Sequence, residues 1–245
     1  MSKVLILGAT SSIAMEFAKI LAQDKNELFL VARNEEKLRS VSKDLEVRGA
    51  VIKGTLVQDL SVLSHHAKVV AEAVEKLGQI DTALIAHGIL GDQKASEQDF
   101  QLALKEIETN FMSVASLASL LANLMEKNKR GCIAVISSVA GDRGRQSNYI
   151  YGSAKGGLNI FLQGLRNRLF FSGVQVLTIK PGFVDTPMTA HLPKNALFAP
   201  PSKVARGIVQ AIAKKKDVVY LPRFWCWILT VIRLVPECIF IRLRL

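Results

Sequence analysis

Tyr151 and Lys155 stand four residues apart in Tyr151-Gly152-Ser153-Ala154-Lys155, and Ser138 lies thirteen residues before the tyrosine, at the end of an apolar run. On a helix, positions i and i+4 share a face, so the phenol and the ammonium can converge. A free phenol ionises near pH ~10. A neighbouring ammonium favours the phenolate, so the expectation is that Lys155 lowers the Tyr151 pKa and makes its proton usable near neutral pH. A serine hydroxyl beside the phenol can hold a carbonyl oxygen on which negative charge develops. Tyr-x-x-x-Lys pairs also occur on ordinary amphipathic helices, so the meaning of this one depends on the elements that position it.

Those elements carry nucleotide-binding signals in order. Lys3 to Leu7 reads as a buried strand and runs into Gly8-Ala9-Thr10-Ser11-Ser12-Ile13-Ala14, then into a helical pattern through Phe17, Ile20 and Leu21. A strand, a tight turn of small residues and a helix N-terminus form a phosphate site from backbone N–H groups and the helix dipole. Ser12 and Ala14 stand where two glycines would complete the usual spacing; both are small, and the Ser12 hydroxyl can itself bond a phosphate. A second strand, Leu28 to Ala32, ends in Arg33-Asn34. An acidic residue there binds a ribose 2′-hydroxyl, whereas an arginine accommodates a 2′-phosphate. The expected cofactor is therefore NADP(H) in preference to NAD(H), the alternative being a solvated Arg33 beside an Asn34 helix cap.

With Asp59-Leu60, Ala86-His87-Gly88, Asn110, Ile136-Ser137-Ser138, Tyr151-x-x-x-Lys155 and Pro181-Gly182-Phe183-Val184-Asp185-Thr186, the chain resembles the short-chain dehydrogenase/reductases over nearly its whole length. The resemblance implies that Gly8, Thr10, Ser11, Ser12 and Ile13 cradle the dinucleotide, that Asp59 and Leu60 hold its adenine, and that Ala86, His87 and Gly88 line it. It also implies that Pro181, Gly182, Val184 and Thr186 hold its nicotinamide and pyrophosphate end. His87 departs from the Asn-Ala-Gly usual at this point and is read as a structural substitute without a part in proton transfer. For catalysis the resemblance implies that Tyr151 protonates a carbonyl oxygen as hydride arrives and that Ser138 polarises the carbonyl. Lys155 would hold the nicotinamide ribose, and Asn110, on a long helix from about Glu97 to Lys127, would position a water in a proton relay to Lys155.

A chain of 245 residues with 49% apolar content suits one large α/β domain. Strand-like runs at Lys3–Leu7, Leu28–Ala32, Ala50–Gly54, Thr82–Ala86, Cys132–Ser137, Val174–Ile179 and Val218–Leu221 alternate with helical patterns. That alternation predicts a three-layer Rossmann fold, a doubly wound parallel sheet of about seven strands with helices on both faces. The expected division is a reductase domain over 1–222 and an aromatic, basic tail over 223–245. Ala190 to Ser202, with three prolines, reads as a loop over the site. The three scattered cysteines have no metal-ligand spacing and suit a reducing compartment, here the cytoplasm. His65 and His66 face different sides of a helix and read as solvated; no metal site is expected.

Substrate clues lie in the charge, the tail and one loop. The net charge is +11, with no nucleic-acid motif and no aromatic interleaving, so an anionic surface or substrate is the better partner class. From Arg223 the tail combines Trp225, Trp227 and many aliphatics with Arg223, Arg233, Arg242 and Arg244; its uncharged run from Phe224 to Ile232 is nine residues, too short to span a bilayer, which takes about twenty. Such a segment suits a helix broken at Pro236 and lying in the interface of the cytoplasmic membrane's inner face, or else an element packed on protein. Arg143 and Arg145, between Ser138 and Tyr151, are placed to grip a phosphate, the alternatives for Arg143 being a pair with Asp142 or solvent. With Gly91-Asp92-Gln93 and the stretch from Gly141 to Lys155, these features resemble the decaprenylphosphoryl 2-keto-ribose reductases and their bacterial relatives. That narrower resemblance implies a lipid-linked ketone substrate; a soluble reductase of an acyl, steroid or other small carbonyl compound is the alternative, with the tail in oligomer contacts. A homo-oligomer, dimer or tetramer, is implied by the wider family, whose long helix and tyrosine-bearing helix pair subunits.

Overall fold

The computed structural model describes residues 1–243; Arg244, counted above among the basic residues of the tail, lies outside them. Seven parallel strands form one sheet in the order β3-β2-β1-β4-β5-β6-β7. They are β1 (Lys3–Leu7), β2 (Glu27–Ala32), β3 (Val51–Val57), β4 (Thr82–Ile85), β5 (Gly131–Ile136), β6 (Val174–Pro181) and β7 (Val218–Leu221). The order runs outward from β1 in both directions, which is the doubly wound arrangement expected from the alternating strand and helix patterns.

Both faces of the sheet are buried, and the period of two sorts each strand's side chains between them. In β1, Leu5 and Leu7 join one core cluster while Val4 and Ile6 join the other. The first cluster is closed by α3 (His66–Leu77), α6 (Ser113–Asn128) and α7 (Tyr149–Leu169), through Val69, Leu117 and Leu158 among others. The second is closed by α1 (Ser12–Gln23), α2 (Glu35–Val47) and α8 (Pro201–Ala213), through Ala18, Leu38 and Val204.

The expected long helix from Glu97 to Lys127 is interrupted. A short α4 (Gln93–Gln98) ends at Asp99, which has an extended backbone and accepts from the N–H of Gln101 at 2.9 Å, so the aspartate starts α5 (Phe100–Ile107) instead of continuing α4. A π-helical segment, Glu108–Met112, then separates α5 from α6. Pro236 divides the tail into α9 (Phe224–Leu234) and α10 (Glu237–Phe240). The inner side of α9 is packed against protein: Trp225 and Leu229 form a third cluster with Val139, joined by Phe183, Tyr220, Ile228 and Ile232.

Candidate active site

The residues proposed for a cofactor gather at the C-terminal ends of the strands. Gly8 follows β1 with a φ of +85°, which only glycine adopts readily, and a Cβ there would lie 2.6 Å from the backbone nitrogen of His87. The N–H groups of Gly8 and Ala9 both donate to the Val31 carbonyl at 2.9 Å, so the turn is tied to β2. Ser11 caps α1, its hydroxyl accepting from the Ala14 N–H at 3.3 Å. The remaining N–H groups of the Ser12 and Ile13 turn have no intrahelical acceptor, and Thr10 stands beside them. This turn opens between β1 and β4, where the strand order reverses, which is the crevice that binds dinucleotides in such sheets. The glycine cradle and the open helix terminus fit a dinucleotide, which when bound supplies the hydride and its electron pair.

Arg33 and Asn34 follow β2, both exposed; Asn34 caps α2 by accepting from Lys37 N–H at 2.8 Å. Asp59, just past β3, lies near enough for the charge of Arg33 to reach it. The N–H of Ser61 first, then its hydroxyl, hold the Asp59 carboxyl below its usual range, and the charge of Arg33 adds to this. Behind them a buried network holds the Leu60 carbonyl, which accepts from His66 Nε2 at 2.9 Å and from the Ser113 hydroxyl. His66 is therefore not solvated: it is 1% exposed, with Nδ1 2.9 Å from the Ser116 hydroxyl. Both histidines read as solvated in the sequence, but the Leu60 carbonyl and Ser116, fifty residues away, draw one ring inward. His65 stays exposed against Gln58. Because Ser113 donates to Leu60, its oxygen accepts from His87 Nε2, 2.8 Å away. This makes His87 a neutral Nε2–H tautomer; burial, then the charge of Lys155, push its pKa down to about 3.

At the end of β5, Ser138 starts a 3-10 turn over Val139–Asp142, its oxygen accepting from Ala140 N–H at 3.1 Å. Tyr151 lies in the first turn of α7, where the Ser138 side chain favours the ionised form of its phenol. Lys155, one turn on, is 3% exposed; its Nζ donates to the Ile136 carbonyl at 3.1 Å and lies 5.8 Å from the centre of the Tyr151 ring. The structure thus brings Ser138, Tyr151 and Lys155 together. The expected fall in the Tyr151 pKa is not found. Burial pushes the phenol up to about 12, with Ser138 opposing and the charge of Glu106 adding to the rise. Lys155 aims its ammonium at the Ile136 carbonyl, and burial pushes it down to about 8.

Asn110 is fully buried in the π segment. Its side chain is anchored on both sides of Ile89: Oδ1 accepts from Ile89 N–H at 3.1 Å and Nδ2 donates to Ile89 O at 2.8 Å, which leaves one lone pair and one N–H of the amide unused. The amide clamps the segment of chain after Gly88, and π segments of this kind recur at functional sites.

The loop between Ser138 and Tyr151 is wired to the tail. Arg143 Nη1 donates to the carbonyls of Ile232 at 2.7 Å, Arg233 at 3.2 Å and Val235 at 2.6 Å, while Nη2 meets Glu237 at 2.8 Å. Its guanidinium lies 3.8 Å from the centre of the Phe240 ring. The phosphate role expected for Arg143 is thus not what its geometry offers, because the fork is consumed in capping α9. Neither does it pair with Asp142, which meets Lys180 at 2.5 Å and accepts from Tyr220 at 2.7 Å. Arg145 is different: it is partly buried, and its Nε has no partner among the described residues. Farther round the site, Pro181 and Gly182 end β6, and the Trp225 indole packs directly on Gly182. The Val184 carbonyl accepts from Thr189 at 2.5 Å, and Thr186 begins the turn Pro187–Thr189. One carboxylate of the site was not singled out in the sequence: Glu106, 2% exposed, which bonds Gly91 N–H at 2.8 Å. Its spacing of four from Asn110 was the available signal.

The sequence profile of the short chain dehydrogenase family matches residues 2–196. The chain belongs to this family. An uncharacterized oxidoreductase of Mycobacterium tuberculosis is 37% identical over 98% of this chain and 96% of its own length. A putative ketoacyl reductase of Streptomyces coelicolor is 34% identical over 77% of this chain and 72% of its own. Among solved structures, a variant of actinorhodin polyketide ketoreductase with NADPH superposes with a TM-score of 0.79 at 26% identity, covering 89% of this chain and 94% of that one. This short-chain dehydrogenase is accordingly an NAD(P)-dependent oxidoreductase of Rossmann-type fold, with ketoreductases among its relatives.

Proposed function

We propose that this short-chain dehydrogenase is an NADPH-dependent reductase interconverting a ketone and a secondary alcohol, with a polyprenyl-phosphate keto-sugar as its substrate at a membrane surface. In this reading Ser138 donates to the carbonyl oxygen, Tyr151 gives that oxygen its proton, and Lys155 holds positive charge beside the phenol. Arg33 supports the NADPH preference, since it is exposed at the end of β2 with no acidic residue on that strand end. Arg145 takes the phosphate, because its Nε lacks a partner in the loop between serine and tyrosine.

The observation that carries the lipid reading is the two-sided tail. While Trp225 and Leu229 face protein, Trp227, Val231, Leu234 and Ile241 are 76%, 66%, 76% and 70% exposed. Arg223, Arg233 and Arg242 are exposed around them, a pattern suited to an anionic interface. No helix among the described residues is long and apolar enough to cross a membrane, so the contact is peripheral, at the inner face of the cytoplasmic membrane. The ketoreductase relatives favour a second reading, a soluble ketoacyl-type substrate with the same tail face covered in a homo-oligomer.

The experiment follows NADPH oxidation with polyprenyl-phosphate keto-sugars beside simple ketones and ketoacyl thioesters, with and without anionic vesicles. The lipid reading expects turnover of the lipid-linked ketone, stimulated by vesicles and lost in Arg145→Ala. Turnover of ketoacyl thioesters alone, with no sedimentation on vesicles, replaces it by the second reading.

A further inference from the structure

We infer that Glu106 is a positioning residue for the proton transfer, the buried counter-charge that holds Lys155 as an ammonium beside Tyr151. This rests on the ketone reduction proposed above, whatever the ketone, and reaches a residue that no motif contains.

Glu106 is 2% exposed on α5, and its Oε1 accepts from the Gly91 N–H at 2.8 Å. Among the described residues its Oε2 has no hydrogen-bond partner. A Cβ on residue 91 would lie 2.6 Å from that oxygen, so a larger residue there would push the carboxylate tip aside. One turn on, Asn110 clamps Ile89. A Cβ on Gly88 would lie 2.7 Å from Asn110 Oδ1 and 3.7 Å from Lys155 Nζ, so Lys155, Asn110 and Glu106 converge on the segment Gly88 to Gly91. The carboxylate, with a spare oxygen, and the buried ammonium thus flank one short segment without a direct ion pair between them, and the carboxylate acts on the ammonium through its charge.

The ammonium needs it. Lys155 has one hydrogen bond among the described residues, to the Ile136 carbonyl, and burial disfavours its charge. An unpaired buried charge is strongly unfavourable. The charge of Glu106 opposes that penalty on Lys155, and the field of Lys155 in turn favours ionised Glu106 against its own burial. The neighbouring elements hold no substitute. From α4, Lys94 and Glu97 pair with each other at 3.0 Å, and Asp92 caps that helix. Glu108 of the π segment and Lys105 of α5 are exposed, and His87 is neutral. From α7, Lys155 and Tyr151 feel the charge of the carboxylate. No bond is made or broken at Glu106; it acts through its field, raising the proton affinity of Lys155 and of Tyr151 together.

The test uses Glu106→Gln, which keeps the shape and the acceptor for Gly91 but removes the charge. In the full chain without cofactor or substrate, the NMR pH titration of the Lys155 side chain, assigned against Lys155→Met, should move to lower pH. The basic limb of the kcat/KM profile for ketone reduction should move the same way. Glu106→Asp, which keeps the charge, should leave the lysine midpoint closer to the parent's. A midpoint that does not move in Glu106→Gln, or moves as far in Glu106→Asp, overturns the inference. Should Glu106→Gln fail to fold, Gly91→Ala displaces the carboxylate from the other side; the Lys155 midpoint must then fall, and an unmoved midpoint again refutes it. The titration needs no turnover, so it separates this inference from any error about the substrate.

Discussion

Replacing Arg143 by alanine tests whether one side chain fastens the tail to the loop between Ser138 and Tyr151. The side chain is 14% exposed and offers its guanidinium to three carbonyls at the end of α9, to Glu237 and to the Phe240 ring. Hydrogen bonds from a charged donor contribute about 1.5–3 kcal/mol. The two short contacts, to Ile232 and Val235, share Nη1 and so count for little more than one such bond. The stack on Phe240 adds about 0.5–1 kcal/mol. Glu237 is 76% exposed, so its ion pair adds little. The sum, about 2–4 kcal/mol, corresponds to a 30- to 1000-fold rise in the local opening equilibrium, at about 1.4 kcal/mol per tenfold. Amide hydrogen exchange reads it directly. Protection should fall by that factor from Ile232 through Arg242, less around Trp225 and Leu229, which stay packed on Val139. Strand amides such as Ile133 and Leu177 should not change. Arg143→Lys, which keeps the charge without the planar fork, should fall between. Unchanged exchange in the tail of Arg143→Ala refutes the reasoning.

Tyr151→Phe should abolish ketone reduction while leaving NADPH affinity within a few-fold of the parent, as measured by cofactor fluorescence; normal turnover would falsify the acid role of the phenol. Arg33→Ala should weaken NADPH binding at least tenfold more than NADH binding in equilibrium titrations, and equal weakening would remove the 2′-phosphate contact. Lys155 has a folded pKa of about 8, below its ordinary value of 10.5, so the unfolded chain binds more protons between these values and its contribution to stability rises with pH there. Lys155→Met should therefore be more stable than the parent at pH 7, though inactive, and denaturation midpoints should show that advantage shrinking from pH 8 upward. Tyr151 has the opposite sign: its folded value of about 12 lies above the ordinary 10, so its contribution is present below pH 10 and is lost as pH rises toward 12. The fall above pH 10 should be absent from Tyr151→Phe.

Much of this protein can be read from its sequence because the governing patterns are local. Apolar runs flanked by turns located all seven strands within a few residues; the central strands, buried on both faces, are continuous apolar runs, while the edge strand β3 has no fully buried residue. Gly8 marks its turn because few other residues accept its φ, and the spacing of Tyr151 and Lys155 places them on one helical face. What local pattern could not supply were partners distant in the chain. Lys105-Glu106-Ile107-Glu108 looks like a solvated helix face, yet Glu106 is buried because Gly91 leaves room for it. His66, in an ordinary His-His pair, reads as solvated and is inside because Leu60 and Ser116 offer hydrogen bonds. Arg143 was given a phosphate because its loop borders the site, and it holds carbonyls some ninety residues away.

The sequence by itself determined the order of the elements, the small-residue turn after β1, and the serine, tyrosine and lysine of the candidate site, because backbone preference and side-chain periodicity act over a few residues. Only the tertiary structure decided how those groups are charged. Burial raises Tyr151 and lowers Lys155, and Glu106 pushes both upward. Desolvation and the field of a distant carboxylate depend on what packs around a group, and that packing is not written in the residues next to it.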